Sequence, residues 1–231
     1  MEKENNINFL ALAIHKLKTP TSSIKLSSEM LLEGDFGELA DEQKKVIERM
    51  HQKNEGLIDL IDDLLKLAKT ERKASFHTAP VDFEKLVRSV TDYEKEYIEK
   101  KEITVKLDGL GSKLPKITLD KEKMFLAIQN IVDNAIKYSR KGGQITISLG
   151  SDQETVTLKI QDKGIGILNE ERGRLFTEFF RGENAKELEP AGSGLGLYIA
   201  KDIIENHHHG KIWFESEENK GTTFYISLPI K

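Results

Sequence analysis

The chain has 231 residues, enough for one large domain or two modest ones. A hydrophobic fraction of 38% supports a packed core, and a formal net charge of −4 gives no electrostatic case for binding nucleic acid. With no cysteine, disulfides and zinc–thiolate sites are excluded.

No run of about 18 apolar residues occurs, so no helix is expected to cross a membrane, and no signal peptide is recognisable. The polar start, residues 1–6, leads directly into a helical pattern. That suits a soluble protein, and equally the cytoplasmic part of a longer receptor; the expected location is cytoplasmic.

Ile7, Leu10, Ile14, Leu17, Thr21, Ile24, Ser28 and Leu31 alternate at steps of three and four, which is a heptad seam. Pro20 lies within it and predicts a kink just after His15. The stretch Glu33 to Gly37 reads as a turn. A second helix follows, with Asp41 as N-cap; Lys44 is not the Glu or Gln of a full capping box. Its seam runs Val46, Met50, Lys53, Leu57, Leu60, Leu64 and Leu67, and Ile47, Ile58, Ile61, Leu65 and Ala68 widen the apolar face. Such a face is too broad for one partner helix, so a hairpin that dimerises into a four-helix bundle is expected. His15 follows the seam residue Ile14, on the flank. From this stretch alone it reads as an ordinary solvated side chain sooner than as a functional one. His51 reads as solvated.

Residues 71–79 lose the heptad and gain small and polar side chains, and Pro80 closes them. We read an interdomain linker here, with His77 exposed. The expected domains are residues 1–72, a linker over 73–80, and 81–231.

Asp82 to Lys100 reads as one amphipathic helix, with Phe83, Leu86, Val87, Val90, Tyr93 and Tyr97 at helical spacing. Ile103 to Leu107 alternates as a strand, a short strand lies near Ile117, and Asp120 caps a helix running past Ile136. Gln144 to Leu149 with Thr155 to Ile160, and Lys211 to Ser216 with Thr222 to Leu228, read as strand pairs. Helices and antiparallel-looking strands in this order predict an α/β sandwich.

Three motifs lie on that frame. Asn130 and Asn134 are four apart, so both amides share a helix face; an amide oxygen suits Mg²⁺, and Lys137, next to Tyr138, is in reach of phosphate. The alternative is a plain polar face. Asp162 ends a strand, with Gly164 and Gly166 after it: a carboxylate that accepts from an exocyclic amine, beside glycines that admit a ring, or else a tight turn. Gly192, Gly194, Leu195 and Gly196 open a helix whose N–H groups face an anion, or form a simple turn. No strand directly precedes them, so this is not the dinucleotide fingerprint. The polar stretch Gly182 to Ala191 is expected to be an irregular, mobile lid over the nucleotide. Leu175 to Arg181 is expected as a helix end packed on the core. His207, His208 and His209, followed by Gly210, read as a helix C-terminus rather than a metal site.

In this order, after a helical hairpin carrying His-x-x-x-Thr-Pro, these motifs closely resemble the sensor histidine kinases of two-component signalling, over nearly the whole chain. The resemblance implies a dimerisation and phosphotransfer hairpin followed by an ATP-binding domain of the Bergerat fold. It implies that His15 is the phosphoacceptor and Thr19 the residue tied to phosphatase activity. Asn130 and Asn134 match the asparagine box, with Asn134 as Mg²⁺ ligand. Asp162, Gly164 and Gly166 match the adenine side, Gly192, Gly194 and Gly196 the phosphate side, and Arg181 a basic residue often found after the family's phenylalanine box. ATP and Mg²⁺, a homodimer and a response-regulator partner follow. A membrane enters only through a sensor segment absent from this chain.

One position departs from the pattern. The family usually has Glu or Asp after the histidine, and here stands Lys16, an ammonium with no acceptor lone pair. Two other readings follow. One is an ATP hydrolase of the same fold, disfavoured because Asn130 stands where such enzymes carry a Glu base. The other is a pseudokinase or phosphatase-biased scaffold, which Lys16 favours.

Overall fold

Two helices joined by a short turn begin the chain in the computed structural model, which describes residues 2–70, 76–109 and 114–230. Side chains of 2–13, 15 and 67–70 lie outside that description. The His15 imidazole, the seam residues Ile7, Leu10 and Leu67, Ala68, linker residues 71–75 and the expected 72/73 boundary therefore lie outside it too.

Helix α1 runs Glu2–Glu33 and α2 Asp41–Thr70. α1 continues through Pro20 as one helix, and Thr21 Oγ1 donates to the carbonyls of Leu17 and Lys18, both at 2.9 Å, one turn back. The turn at Gly34 and Gly37 uses left-handed backbone that glycine adopts without strain. The cap of α2 differs from expectation. Ala40 accepts from Lys44 N–H, while Gln43 Oε1 takes the Ala40 N–H at 3.0 Å, so Ala40 is the N-cap and Gln43 supplies half a capping box.

The face α1 turns to α2 is one strip of the predicted seam: Ile14, Thr21 and Ser28, seven apart, are buried. Leu17 and Ile24, the intervening positions, are exposed. On α2 the inner line carries Asn54 and Ile61, whereas Val46, Met50 and Leu57, expected as the seam, face outward. An apolar face wide enough for two partners leaves the inner line to hairpin geometry, which a single-chain period does not specify. Much of the inner line is polar and satisfied. Asn54 Nδ2 donates to Thr21 O at 2.8 Å, and Ser28 Oγ lies 2.8 Å from His51 Nδ1. His51 is thus part of the hairpin interior, not a solvated side chain.

The second unit holds the rest of the described chain except Glu189–Leu195, which packs with the hairpin. It begins with β1 (Ala79–Val81), followed by α3 (Phe83–Tyr93), α4 (Lys95–Lys100), β2 (Thr104–Asp108), β3 (Ile117–Leu119), α5 (Lys121–Tyr138), β4 (Gln144–Ser151) and β5 (Thr155–Asp162). A 3-10 stretch (Asn169–Arg174), α6 (Glu183–Leu188), α7 (Gly196–Lys201, continued as π-helix Asp202–His207), β6 (Lys211–Glu217) and β7 (Gly221–Pro229) complete it. The main sheet has the order β2-β4-β5-β7-β6. It is mixed rather than antiparallel: β2 runs parallel to β4, with Thr104 opposite Gln144. β1 and β3 make a separate antiparallel pair. β1 overlaps the end of the expected linker, since three residues around a proline give no strand period.

α3 and α7 each pack on α5, and α5 lies on β5. Period-2 alternation puts Ile145, Ile147, Val156, Leu158, Ile160, Phe224 and Ile226 on the buried sheet face. Val87, Val90, Met124, Ile128, Ile131, Ile199 and Ile203 meet them from the helices. The single helix expected over 82–100 breaks at Glu94, which is buried and takes the Gln129 amide at 3.0 Å. Tyr93 and Tyr97, expected on the core face, are exposed, and Tyr93 meets Phe125 edge-on.

His208, at the end of the π-helical turn, is a buried tie. Its Nδ1–H donates to Ile203 O at 2.8 Å, and its Nε2 accepts the Asp120 N–H at 3.0 Å. Both bonds need a neutral ring, and burial pushes its pKa down accordingly. Asp120 caps α5 through Glu122 and Lys123 N–H, and its other oxygen takes the His77 N–H at 2.9 Å. So His77 is exposed in its side chain but held by its backbone. Lys101 Nζ closes the far end of α5, donating to Ile136 O and Lys137 O.

Candidate active site

At the end of β5, Asp162 is 5% exposed. Gly164 N–H and Thr222 N–H both donate to its Oδ1, at 2.8 and 3.1 Å. Desolvation outweighs these bonds and lifts the carboxyl to about 6. Oδ2 takes neither bond. A buried carboxylate with one oxygen fixed by the N–H groups of Gly164 and Thr222, and the other outside those two bonds, is suited to accept from a ligand N–H.

The backbone closes tightly around it. A side chain on Gly164 would run into the Tyr138 carbonyl, whose oxygen accepts from Ile165 N–H at 3.2 Å. The C-terminal end of α5 and the loop after β5 are thereby joined. Gly221, with φ +114°, stands against the Asp162 carbonyl, where any Cβ would collide. Sequence reading missed Gly221 and Thr222. They belong to the β7 start, sixty residues away in sequence, and only strand pairing brings them to Asp162. Gly166 accepts at its carbonyl from Asn184 Nδ2 at 3.0 Å.

On α5, Asn130 is 7% exposed, and its Nδ2 has no partner among the described residues. Its side chain lies beside Gly196, where an added Cβ would stand 3.6 Å from Asn130 Oδ1. An unpaired amide N–H in a buried position is costly unless a ligand meets it. Asn134, one turn on, is half-buried on the same face. Lys137 forms an ion pair with Asp133 at 2.9 Å. The Asn134 amide oxygen suits a hard cation, and the Asn130 N–H suits a phosphate oxygen bound to it. No cluster of three metal-binding side chains occurs among the described residues.

Gly192 and Gly194 both take positive φ, +140° and +73°. With Leu195 they belong to the segment that packs with the hairpin, whereas Gly196 opens α7. The expected irregular lid contains a helix, α6, built from Glu183, Asn184 and the residues to Leu188. The expected helix end at Leu175–Arg181 is instead a series of turns. Phe176 meets Phe214 and Phe224, Phe180 lies under Arg174, and Phe179 is exposed with φ +60°. Thr19 and Lys16 are exposed on α1. Among the described residues no helix is long and apolar enough to cross a membrane.

Two family models match the chain. The His Kinase A (phospho-acceptor) domain covers residues 5–73, and the histidine kinase-, DNA gyrase B- and HSP90-like ATPase covers residues 119–231. Sensor histidine kinase WalK of Bacillus subtilis is 30% identical over an alignment of 234 positions that covers all of this chain and 38% of that protein. Sensor protein kinase WalK of Staphylococcus aureus is 31% identical over an alignment of 240 positions that covers all of this chain and 55% of that protein. The chain thus spans less than two thirds of these relatives. Among solved structures, the catalytic domain of histidine kinase ThkA is 28% identical with a TM-score of 0.59, over 67% of this chain and 98% of that one. ThkA in complex with the response regulator protein TrrA matches in fold, at 20% identity and a TM-score of 0.67, over 100% of this chain and 66% of that one.

Proposed function

Because the chain belongs to the sensor histidine kinases of two-component signalling, we propose that it moves the γ-phosphoryl group of ATP to His15 and then to an aspartate on a response regulator. The observation that carries this is Asp162: a buried carboxylate whose Oδ1 is fixed by the Gly164 and Thr222 N–H groups, while Oδ2 takes neither bond. Oδ2 accepts the adenine amino group, and ionisation of Asp162 is the binding-competent state.

Residues 1–72 form the dimerisation and phosphotransfer domain, 73–80 the linker and 81–231 the ATP-binding domain. Leu17, Ile24, Leu26, Val46, Met50 and Leu57 are exposed on the hairpin, and a second copy covers them in a four-helix bundle. The Asn130 N–H and the backbone of Gly192, Gly194, Leu195 and Gly196 meet phosphate oxygens. Lys137, Tyr138, Gly164, Gly166 and Arg181 line the rest of the site. Asn134 holds Mg²⁺, which neutralises phosphate charge.

The His15 ring nitrogen that carries no hydrogen attacks the γ-phosphorus in line, as the bond to the bridging oxygen breaks and ADP leaves. The proton on the other ring nitrogen then passes to a base. Lys16, charged, has no lone pair for it, so water or another side chain takes that proton. Thr19, one turn after His15, orients a water for the reverse signal, hydrolysis of the regulator's acyl phosphate.

Incubation with radiolabelled ATP and Mg²⁺ tests the reading. Acid-labile, alkali-stable label is expected on the wild-type chain and absent from His15→Gln. Label that persists in that variant rejects His15 as acceptor. A wild-type chain that binds ATP and takes no label favours the phosphatase-biased scaffold.

A further inference from the structure

Helix α2 carries a glycine in its interior, Gly56. Glycine there costs about 1 kcal/mol relative to alanine, so its presence calls for a reason. The reason lies in the segment Glu189–Leu195. A Cβ on Gly56 would sit 3.5 Å from both Cα and Cβ of Ala191, so a methyl would just touch and a longer side chain would not fit. Two turns further along the same face of α2 stands Asp63, seven residues on. Ser193 Oγ–H donates to Asp63 Oδ2, and the same Oγ accepts the Leu195 N–H at 3.1 Å. Asp63 is also paired with Lys66 at 2.9 Å, and its side chain is only 16% exposed. Two independent features of α2, a missing side chain and a placed carboxylate, therefore hold one short loop.

That loop contains Gly192 and Gly194. On the reading of those glycines as the phosphate-binding turn, on which this inference rests, the contact has a chemical consequence. The Ser193 hydroxyl has one proton and gives it to Asp63. It cannot give the same proton to a phosphate oxygen. The Asp63 carboxylate also places a negative charge against a loop that must receive a polyanion.

We propose that Gly56 and Asp63 form a docking stripe on α2 that competes with nucleotide phosphates for the loop Ala191–Ser193, and so couples ATP occupancy to release of that loop from the hairpin. By linkage, the stripe weakens nucleotide binding by the same factor by which bound nucleotide weakens docking. Asp63 is a regulatory residue here and touches no reacting atom.

The test is calorimetric binding of AMPPNP with Mg²⁺ to the full chain. Asp63→Asn removes the charge, and Gly56→Leu fills the seat by a separate route. Each is expected to tighten binding about three- to tenfold. Gly56→Ala, whose methyl fits, and Lys66→Gln, which leaves the Ser193 bond, are expected to bind like wild type. In hydrogen exchange, amides of residues 191–195 are expected to exchange faster in Asp63→Asn and Gly56→Leu than in wild type. If both variants bind no more tightly than a wild type that does bind, the stripe has no role and the nucleotide reading stands. If wild type itself binds no AMPPNP, the nucleotide reading falls and this inference with it.

Discussion

The Thr222 backbone N–H donates to Asp162 Oδ1 at 3.1 Å, so the first turn of β7 fixes a carboxylate that ends β5. The two strands are hydrogen-bonded neighbours, with Gln161 opposite Thr223. Holding that carboxylate in a buried place has an energetic consequence, and several expectations rest on it.

Burial lifts the Asp162 pKa from about 3.8 to about 6. In the window between these values the native state binds more protons than the unfolded one. Stability therefore falls as pH rises through about 6, and the cost persists above it. Asp162→Asn keeps an oxygen for Gly164 and Thr222 and removes the charge. It is expected to stabilise the protein by about 1–3 kcal/mol at pH 8. The gain should largely disappear near pH 3.5, where Asp162 is mostly neutral in both states. Urea melts at the two pH values measure this, and a less stable variant at pH 8 contradicts it. AMPPNP affinity of the wild type should fall as pH drops from 7 to 5, about tenfold per unit below 6, because the protonated carboxyl is not the acceptor adenine needs.

His208 has the opposite sign. Its folded pKa is lowered by burial, so the unfolded state binds the extra proton and stability is lost as pH falls below about 6.5. His208→Gln should flatten that acid slope. It should also cost about 1–2 kcal/mol at pH 8, through the disturbed bond to Asp120 N–H. Melting temperatures of both proteins across pH 5–8 decide the point; parallel curves would count against a neutral, buried ring.

Gly164→Ala forces a methyl into the Tyr138 carbonyl. A loss of about 2 kcal/mol or more is expected, with weaker nucleotide binding because the loop after β5 shifts. Gly150→Ala, at a position open to solvent, is the matched control and should stay within about 0.5 kcal/mol of wild type.

Leu17 and Leu57 are exposed on the hairpin. Leu17→Asp with Leu57→Asp should turn a dimer into a monomer in sedimentation velocity, with helix content largely kept. A wild-type chain that sediments as a monomer at tens of micromolar removes the second copy from the proposal.

Lys16→Glu supplies the acceptor that the ammonium lacks. A positioned base is typically worth about 10²–10⁴-fold, so labelling of His15 should quicken by about tenfold or more. An unchanged rate would show that proton removal at this position does not limit the step.

Much of this protein is legible in its residues alone. The period of three and four in the first third specifies helices, the period of two specifies β4, β5 and β7, and the glycines around Asp162 announce a loop with no room for side chains. Local backbone chemistry sets each of these within a few residues. The tertiary structure decided what depends on distant partners. It chose Ile14, Thr21 and Ser28 over Leu17 and Ile24 as the inner line of the hairpin, because an apolar face wide enough for two neighbours does not say which neighbour comes from its own chain. It made β2 parallel to β4, broke the third helix at Glu94 to bury a carboxylate against Gln129, and brought Thr222 to Asp162. Sequence periodicity records which side of an element is apolar; which element lies opposite is settled only when the chain folds and each buried polar group finds its bond.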